Sequence, residues 1–543
     1  MPDGVIRKTL TGRRPTKLAS LLAVILIAGR VSLAQEAPTA PPLPASSISA
    51  DAELLKELRE LRREVKEAKA DVGRLQGELT TLRAYQSTPA PAAVVYPPGY
   101  VPEGEVVEQA GPPSSGPPAG EDNFPLKGSY RYHKNATGPL GGGGYFHVGD
   151  DNDEFTINLN NQITIDGAFF DRQNIPTTFQ GFFIPFARTY IYGNITKDWK
   201  YQIGTQGFAG QFNLLDMWMS YSFGDALTLR AGKGLVPPLY EYYAFSPALE
   251  PVVSNSPLFQ LAGKRSMGVM ATGNLFDKRM QYWSGVSNTG TSFFYNIGRN
   301  MEYNGAVTFK PFQNQDNFLN GLGGGSGFSA GYQQYALQQN NISFLNGAGE
   351  PNTNSAFVNA SGVPFFTYKN NVSADGLRSR FSPHIFWFGR FSVLAEYMNF
   401  SRELTNGETR GRSTQRAFYV NASYFLTGER DFNGSGFQAY STIDPLRPFI
   451  PSRGQWGPGA WQIAAQYAMF NAGTGDFARG FVDPTTSASR LESVMVGLNW
   501  WPNKYTRLSC DYIWNGLNTA IPLTGTTPVD NFSTVWMRFA MFF

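Results

Sequence analysis

Three histidines and one cysteine make up the whole stock of imidazole and thiol in this 543-residue chain. His133 and His147 lie in irregular, glycine-rich sequence and are expected to face water, whereas His384 follows Pro383 on a strand-like run. Cys510 stands alone, so neither an internal disulfide nor a thiolate zinc cluster is expected. No Gly-x-Ser-x-Gly elbow or His-Glu-x-x-His pair occurs, and Gly141 to Gly144 lacks the Lys-Ser/Thr end of a phosphate loop. That glycine run reads as a flexible approach to the strands beyond it. No enzyme, cofactor or metal is expected from this inventory. What remains is charge on or beside strand-like stretches: Arg188, Lys200, Asp216, Arg230, Lys233, Lys264, Arg265, Arg507, Asp511 and Arg538. Strand alternation puts such side chains on the face opposite the apolar one. Arginine forks and ammonium groups gathered on a common inner face attract anions.

The elements that must carry these residues alternate with period two. At the C-terminus Val535, Met537, Phe539, Met541 and Phe543 alternate with Thr534, Trp536, Arg538, Ala540 and Phe542. A bare apolar edge invites aggregation, but a barrel closed in lipid needs such a strand, with one face turned to hydrocarbon. Upstream, Phe155, Ile157, Leu159, Ile163, Ile165 and Phe169 alternate with Thr156, Asn158, Asn160, Gln162, Thr164 and Asp166, and this run is the expected closing partner. Comparable runs, among them 302–310, 380–388 and 391–400, bring the expectation to about sixteen strands, one of them within 325–370. Thr196 to Asp198 and Pro502 to Lys504 read as tight turns at one rim. The segments 311–378 and 427–459 read as long loops at the other. Charged residues are 16%, aromatics 14% and mean hydropathy −0.27, and no run long enough for a membrane helix follows the N-terminal region. The expected fold is all-β: a transmembrane antiparallel β-barrel of about sixteen strands over 124–543, preceded by an α-helical coiled coil and a proline-rich linker.

The N-terminus supplies an address. Arg7, Lys8, Arg13, Arg14 and Lys17 precede the apolar run from Leu18 to Gly29, and Ser32-Leu33-Ala34 suits a signal peptidase, so 1–34 is read as a secretory signal. It carries six of the 45 basic residues and one of the 42 acidic ones; the remainder is slightly acidic, and no nucleic-acid partner is expected. Residues 35–50 read as disordered. In 51–84, Leu54, Leu58, Leu61, Val65, Ala68, Val72, Leu75, Leu79 and Leu82 recur at 4-3 spacing, with Glu57, Glu64, Asp71 and Glu78 at g and Arg62, Lys69, Gln76 and Arg83 at e. That register is expected to form a parallel homo-oligomeric coiled coil, without deciding the number of chains. Residues 85–123 are a Pro/Gly-rich spacer that, at roughly 3.1 Å per residue, reaches about 120 Å.

Between Arg188 and Gly273 several motifs succeed one another in a particular order. Arg188-Thr-Tyr-Ile-Tyr-Gly-Asn-Ile-Thr-Lys-Asp-Trp-Lys-Tyr precedes Leu215-Asp216-Met-Trp-Met-Ser-Tyr, then Leu229-Arg230-Ala-Gly232-Lys233 with Pro237-Pro238, then Arg265-Ser-Met-Gly268-Val269. The sequence resembles the phosphate-selective porin O and P family over roughly 125–543. The resemblance implies a trimeric, sixteen-stranded outer-membrane barrel, an arginine ladder, a lysine-rich constriction and a long loop folded into the lumen. The matching loop is Gly234 to Lys264, with Tyr240, Glu241, Tyr243 and Glu250 as constriction residues. It holds two glutamates and no lysine before Lys264, and 125–543 has 31 basic against 27 acidic residues. Anion preference and unselective diffusion both stay open. The expected function is passive diffusion of small hydrophilic solutes and ions, anions such as phosphate being the preference implied. The expected partners are outer-membrane lipid, the transiting ions and two further copies of the chain, with the coiled coil in the periplasm. The alternative is an envelope tether, with the coiled coil as the working part and the barrel as its anchor.

Overall fold

Alternating side chains sort into two clean surfaces only when every strand has a neighbour on both edges. The computed structural model describes residues 126–543 except 134–138, 173–174, 176–179, 209–210, 245–248, 263–264, 290, 293–294, 297–299, 314, 338–355, 432–439 and 525–526. The signal, the heptads of 51–84, the linker and Lys264 fall outside the described residues. In chain order the strands of the main sheet are β1 Lys127–His133, β2 Gly143–Gly149, β3 Thr156–Phe170, β4 Gly181–Asn194, β5 Trp199–Phe208, β6 Gln211–Ser222, β7 Thr228–Leu235, β8 Arg265–Leu275 and β9 Met280–Asn288. They continue as β10 Met301–Phe309, β11 Leu322–Ala336, β12 Ser373–Trp387, β13 Phe391–Thr405, β14 Arg410–Phe425, β15 Ala460–Asn471, β16 Arg490–Asn503, β17 Thr506–Thr524 and β18 Thr527–Phe542. From β3 to β18 each strand pairs antiparallel with the next, and β18 returns to β3, closing a barrel of sixteen.

The seam is the one expected: Thr534 pairs with Phe170 and Phe542 with Gln162. Phe543 N–H donates to the Asn161 carbonyl at 2.9 Å. Where the chain ends, β2 takes over the same edge of β3, from Phe146 opposite Leu159 to Gly149 opposite Thr156, and β1 covers β2 in turn. The faces of β18 are also as expected. Val535 and Met537 are 37% and 47% exposed, while Trp536 and Ala540 are wholly buried. Outward aromatics cluster at the rim that carries the C-terminus, as Trp199 with Tyr221 and Phe223, Phe318 with Trp387 and Phe391, and Trp461 with Trp500. A ring of amphipathic aromatics marks the level of lipid headgroups.

Two expectations about the connections are corrected. The segment 427–459 leaves β14 at the C-terminal rim, the same rim as the tight turns, so the long connections do not all share one end. The strand sought in 325–370 is β11, and the rest of 311–378 divides into a connection at the C-terminal rim and an inner segment above it. Nor is the glycine run flexible. Leu140 is buried against Tyr190 and Leu215, and Gly141, Gly142 and Gly143 take φ of 75°, 131° and 93°. Thr442 holds them: its N–H donates to the Gly141 carbonyl at 3.2 Å, and its hydroxyl accepts from Gly143 N–H at 3.0 Å. A Cβ at Gly142 would lie 2.1 Å from the Thr442 hydroxyl. His147 does not face water either; it is buried between Asn158 at 2.7 Å and Asp153 at 3.0 Å. His133 is half-buried, stacked on Tyr145 at 4.0 Å.

These buried charges carry two testable outcomes. Arg538 and Asp166 face each other across the seam in a two-pronged pair of 2.9 and 2.7 Å, both buried. Arg538→Ala, which strands Asp166, is expected to lower barrel stability by about 3–5 kcal/mol in urea titrations, and pairing it with Asp166→Leu should return most of that loss. In the 426–459 connection, burial lifts the Asp431 carboxyl from 3.8 to about 6, against hydrogen bonds from Ser392, Ser423 and Gln462 that lower it. The folded state then holds this proton more tightly than the unfolded chain, so stability falls as pH rises from 3.8 through about 6. Asp431→Asn should flatten that slope in unfolding midpoints measured across the window.

Candidate functional site

A loop inside a barrel has no ladder partners for its backbone, so its N–H and C=O groups must find side chains. The segment 236–262, between β7 and β8, meets this demand from the inner wall. Pro237 and Pro238 turn it inward, and a single helical turn, Tyr240–Tyr243, follows. The N–H groups of Tyr240 and Glu241 donate to the Glu396 carboxylate of β13 at 2.8 and 3.0 Å. Asp511 of β17 accepts from Val253 N–H at 2.6 Å, Asn499 of β16 donates to the Pro251 carbonyl at 2.7 Å, and Arg380 of β12 donates to the Leu261 carbonyl at 2.6 Å. Arg507 donates to the Glu250 carbonyl. The Glu241 carboxylate turns back on its own loop and accepts from Ser256 N–H at 2.8 Å. Glu250 is buried with one carboxylate oxygen unbonded. Burial first, and then the charge of Glu241, push its carboxyl well above the ordinary range against Arg538 and Arg507.

A second inner segment lies beside the first. Ala356–Val358 pairs with Pro364–Thr367, and Gln260 clasps Val358, accepting from its N–H at 2.6 Å and donating to its carbonyl. Together the two segments bring Leu258, Phe259, Phe357, Phe365 and Phe366 against inward Phe400, Phe470 and Phe542. The β12–β18 side of the lumen is therefore an apolar core, and β12, β13 and β15 bury every inward position. Along β12 and just past its end, His384, Phe386 and Phe388 stack in series beneath Tyr240, with Tyr240–His384 centroids at 4.3 Å and Phe386–Phe388 at 4.7 Å. The inner wall stays half open on β4 to β9 toward the C-terminal rim, at Tyr192, Gln202, Trp218, Arg230, Thr272 and Trp283.

The candidate residues divide among these surroundings. Asp216 and Arg265 form a buried pair at 3.0 and 3.2 Å, with Tyr190 and Tyr242 hydroxyls on them. Arg188 donates to Gln206 at 2.6 Å, and Arg538 is taken by Asp166. Arg507 and Asp511 hold the loop. Lys233 is buried just past Gly232, whose φ is 125°. Arg230 is half-buried between two tryptophans, and Lys200 is exposed at the C-terminal rim. Of the loop residues, Tyr240, Glu241 and Glu250 are buried, while Tyr243 is partly buried and meets Thr308 at 2.9 Å.

Sequence reasoning missed Glu396, and with it the group of Glu302, Arg378, Arg380 and Arg402. Glu302 takes Arg378 at 2.8 Å and Arg380 at 2.7 Å. Arg402 is wholly buried over the rings of Tyr368 and Phe400, at 4.9 and 5.5 Å, and none of its three nitrogens has a hydrogen-bond partner among the described residues. Glu396 and Arg380 stood at alternate positions of runs already read as strands and were legible there. Arg378 and Arg402 lie beyond the expected ends of those runs, where charged and polar residues erase the alternation.

Glu396→Ala removes the acceptor for two buried N–H groups. It is expected to cost about 1–3 kcal/mol for each group left unsatisfied. Urea titration of the folded barrel checks the loss.

The sequence model of the family described as phosphate-selective porin O and P matches residues 155–520. No curated protein sequence matches the chain. Among solved structures, similar folds include an anion-selective porin from Comamonas acidovorans, at 12% identity and TM-score 0.43 over 72% of this chain and 100% of that one. OmpT of Vibrio cholerae in its trimer form stands at 11% and 0.42 over 72% and 100%. The outer-membrane channel DcaP of Acinetobacter baumannii stands at 10% and 0.41 over 72% and 98%.

Proposed function

Since this chain belongs to the phosphate-selective porin O and P family, we propose that it is an outer-membrane porin that favours anions along one side of its lumen. A porin passes small hydrophilic solutes passively, by pore width and lining charge, and performs no covalent chemistry. The anion preference rests on the half-open wall of β4 to β9, where the water-facing charges among the described residues are Arg230 and Lys200, both positive. The buried charges nearly cancel, nine Lys and Arg against ten Asp and Glu among the described residues, so the uncancelled positive charge is that of the open wall. In a low-dielectric interior an excess of fixed positive charge lowers the barrier for anions and raises it for cations.

Permeation belongs to the β4–β9 side, because the opposite side is filled by the apolar core. The inner loop brings Glu241 and Glu250 rather than lysines, which supports small monovalent anions over phosphate. The C-terminal rim is taken as the periplasmic one. A parallel trimer is proposed on the acid–base register of 51–84 and the family resemblance; cross-linking of the folded protein tests it.

Planar-bilayer recording of the purified protein under a KCl gradient is the test of function. Stepwise conductance with a reversal potential displaced toward chloride is expected, and Lys200→Ala/Arg230→Ala should move that potential toward zero. A cation-selective reversal potential would sink the anion preference; no stepwise conductance would sink the porin reading.

A further inference from the structure

Arg230 is the inner-wall arginine that stays open to water among the described residues. It lies on β7, between Trp218 of β6 at 5.8 Å and Trp283 of β9 at 5.2 Å, measured from the guanidinium carbon to each ring centroid. All three residues are half-buried and face the vestibule at the C-terminal rim. Gly234 keeps the wall beside them clear, since a Cβ there would stand 3.1 Å from Trp218 and 3.4 Å from the Arg230 guanidinium. The other water-facing charge on this stretch of wall among the described residues is Lys200, also positive; Asp216 and Arg265 beside it are buried and paired with each other.

Arg230 donates to the Leu235 carbonyl at 2.5 Å, and its other N–H groups make no hydrogen bond to the described residues. The Trp283 indole N–H is shut in, with no hydrogen-bond partner among the described residues, so Trp283 contributes its ring and not a donor. The hydroxyls around them are already engaged: Thr228 donates to Ser222 at 3.2 Å, and Thr272 donates to the Tyr282 carbonyl at 2.8 Å. The site therefore offers one guanidinium fork and two large ring surfaces. Phosphate, with four oxygens to satisfy, would find too few donors here. A carboxylate carried on a flat apolar body matches the set, its oxygens on the arginine fork and its body against the indoles.

We infer that Trp218, Arg230 and Trp283 form a binding subsite for aromatic carboxylates on the permeation path. This rests on the reading of the protein as a porin and names a solute class for it. The fork orients the carboxylate end, and the rings select for a planar body over an aliphatic one of the same charge.

The experiment is block of the chloride current through the full-length protein in a planar bilayer, with benzoate, acetate or inorganic phosphate added to either compartment. Benzoate is expected to halve the current at about tenfold lower concentration than acetate, the factor one desolvated aromatic contact supplies. The double variant Trp218→Ala/Trp283→Ala should bring that ratio near one, and the Trp218→Phe/Trp283→Phe variant should keep part of it. Arg230→Gln should weaken block by both carboxylates alike. Equal block by benzoate and acetate, stronger block by phosphate, or a ratio that survives loss of both indoles would overturn the subsite while leaving the porin reading intact. Because the phenylalanine variant conserves bulk, a misfolded alanine variant does not shield the inference. A chain that shows no conductance at all would take down both.

Discussion

A backbone N–H left unpaired in hydrocarbon costs several kcal/mol, and this constraint governs everything else in the molecule. Sixteen strands meet it only as a closed ring, so the last must find the first. The β18–β3 seam does this with a continuous ladder, a buried Arg538–Asp166 pair across it, and the terminal Phe543 bonded to Asn161. Where β18 runs out, β2 continues the edge. Closure then fixes the side chains: from Thr534 onward the odd positions of β18 go to lipid, and the even ones go inside.

The inside is consequently crowded with groups that lipid would reject, and it behaves as a second protein interior. The two inner segments bring backbone that has no sheet to join. Glu396, Asp511, Asn499, Arg380 and Arg507 supply the missing partners. Charges that would otherwise count as lining are structural anchors, and the apolar residues of the segments convert one side of the lumen into a core. Water-accessible wall survives only opposite that core, and there the lining is sparse, positive and aromatic.

Much of the architecture was legible because alternation is a local signal. The runs at Phe155 to Phe169 and Phe532 to Phe543 carry their own face assignment, and even their pairing came from the need to close. The inner loop was legible as a long, proline- and aromatic-rich interval after Lys233. Other features were hidden. Gly141 to Gly143 carry no side chains to announce a seat, and their tight packing is set by Thr442, roughly three hundred residues away. Arg378 and Arg402 sit where strands rise past the hydrocarbon, so both faces turn polar and the period fades. Asp511 could be placed on the inner face but not given its task, since its partner is the backbone N–H of Val253, 258 residues distant.

By itself, the order of residues determined which positions face lipid, about how many strands form the barrel and which two strands close the ring. The physical reason is that a two-residue period and a hydrophobic solvent leave one consistent answer. Only the tertiary structure decided which inward charges are spent on holding the loops, which side of the lumen they fill, and that Arg230 stays open between two indoles while Arg402 is shut in over the rings of Tyr368 and Phe400. Those outcomes depend on contacts between segments far apart in sequence, and no local pattern encodes a distance across a barrel.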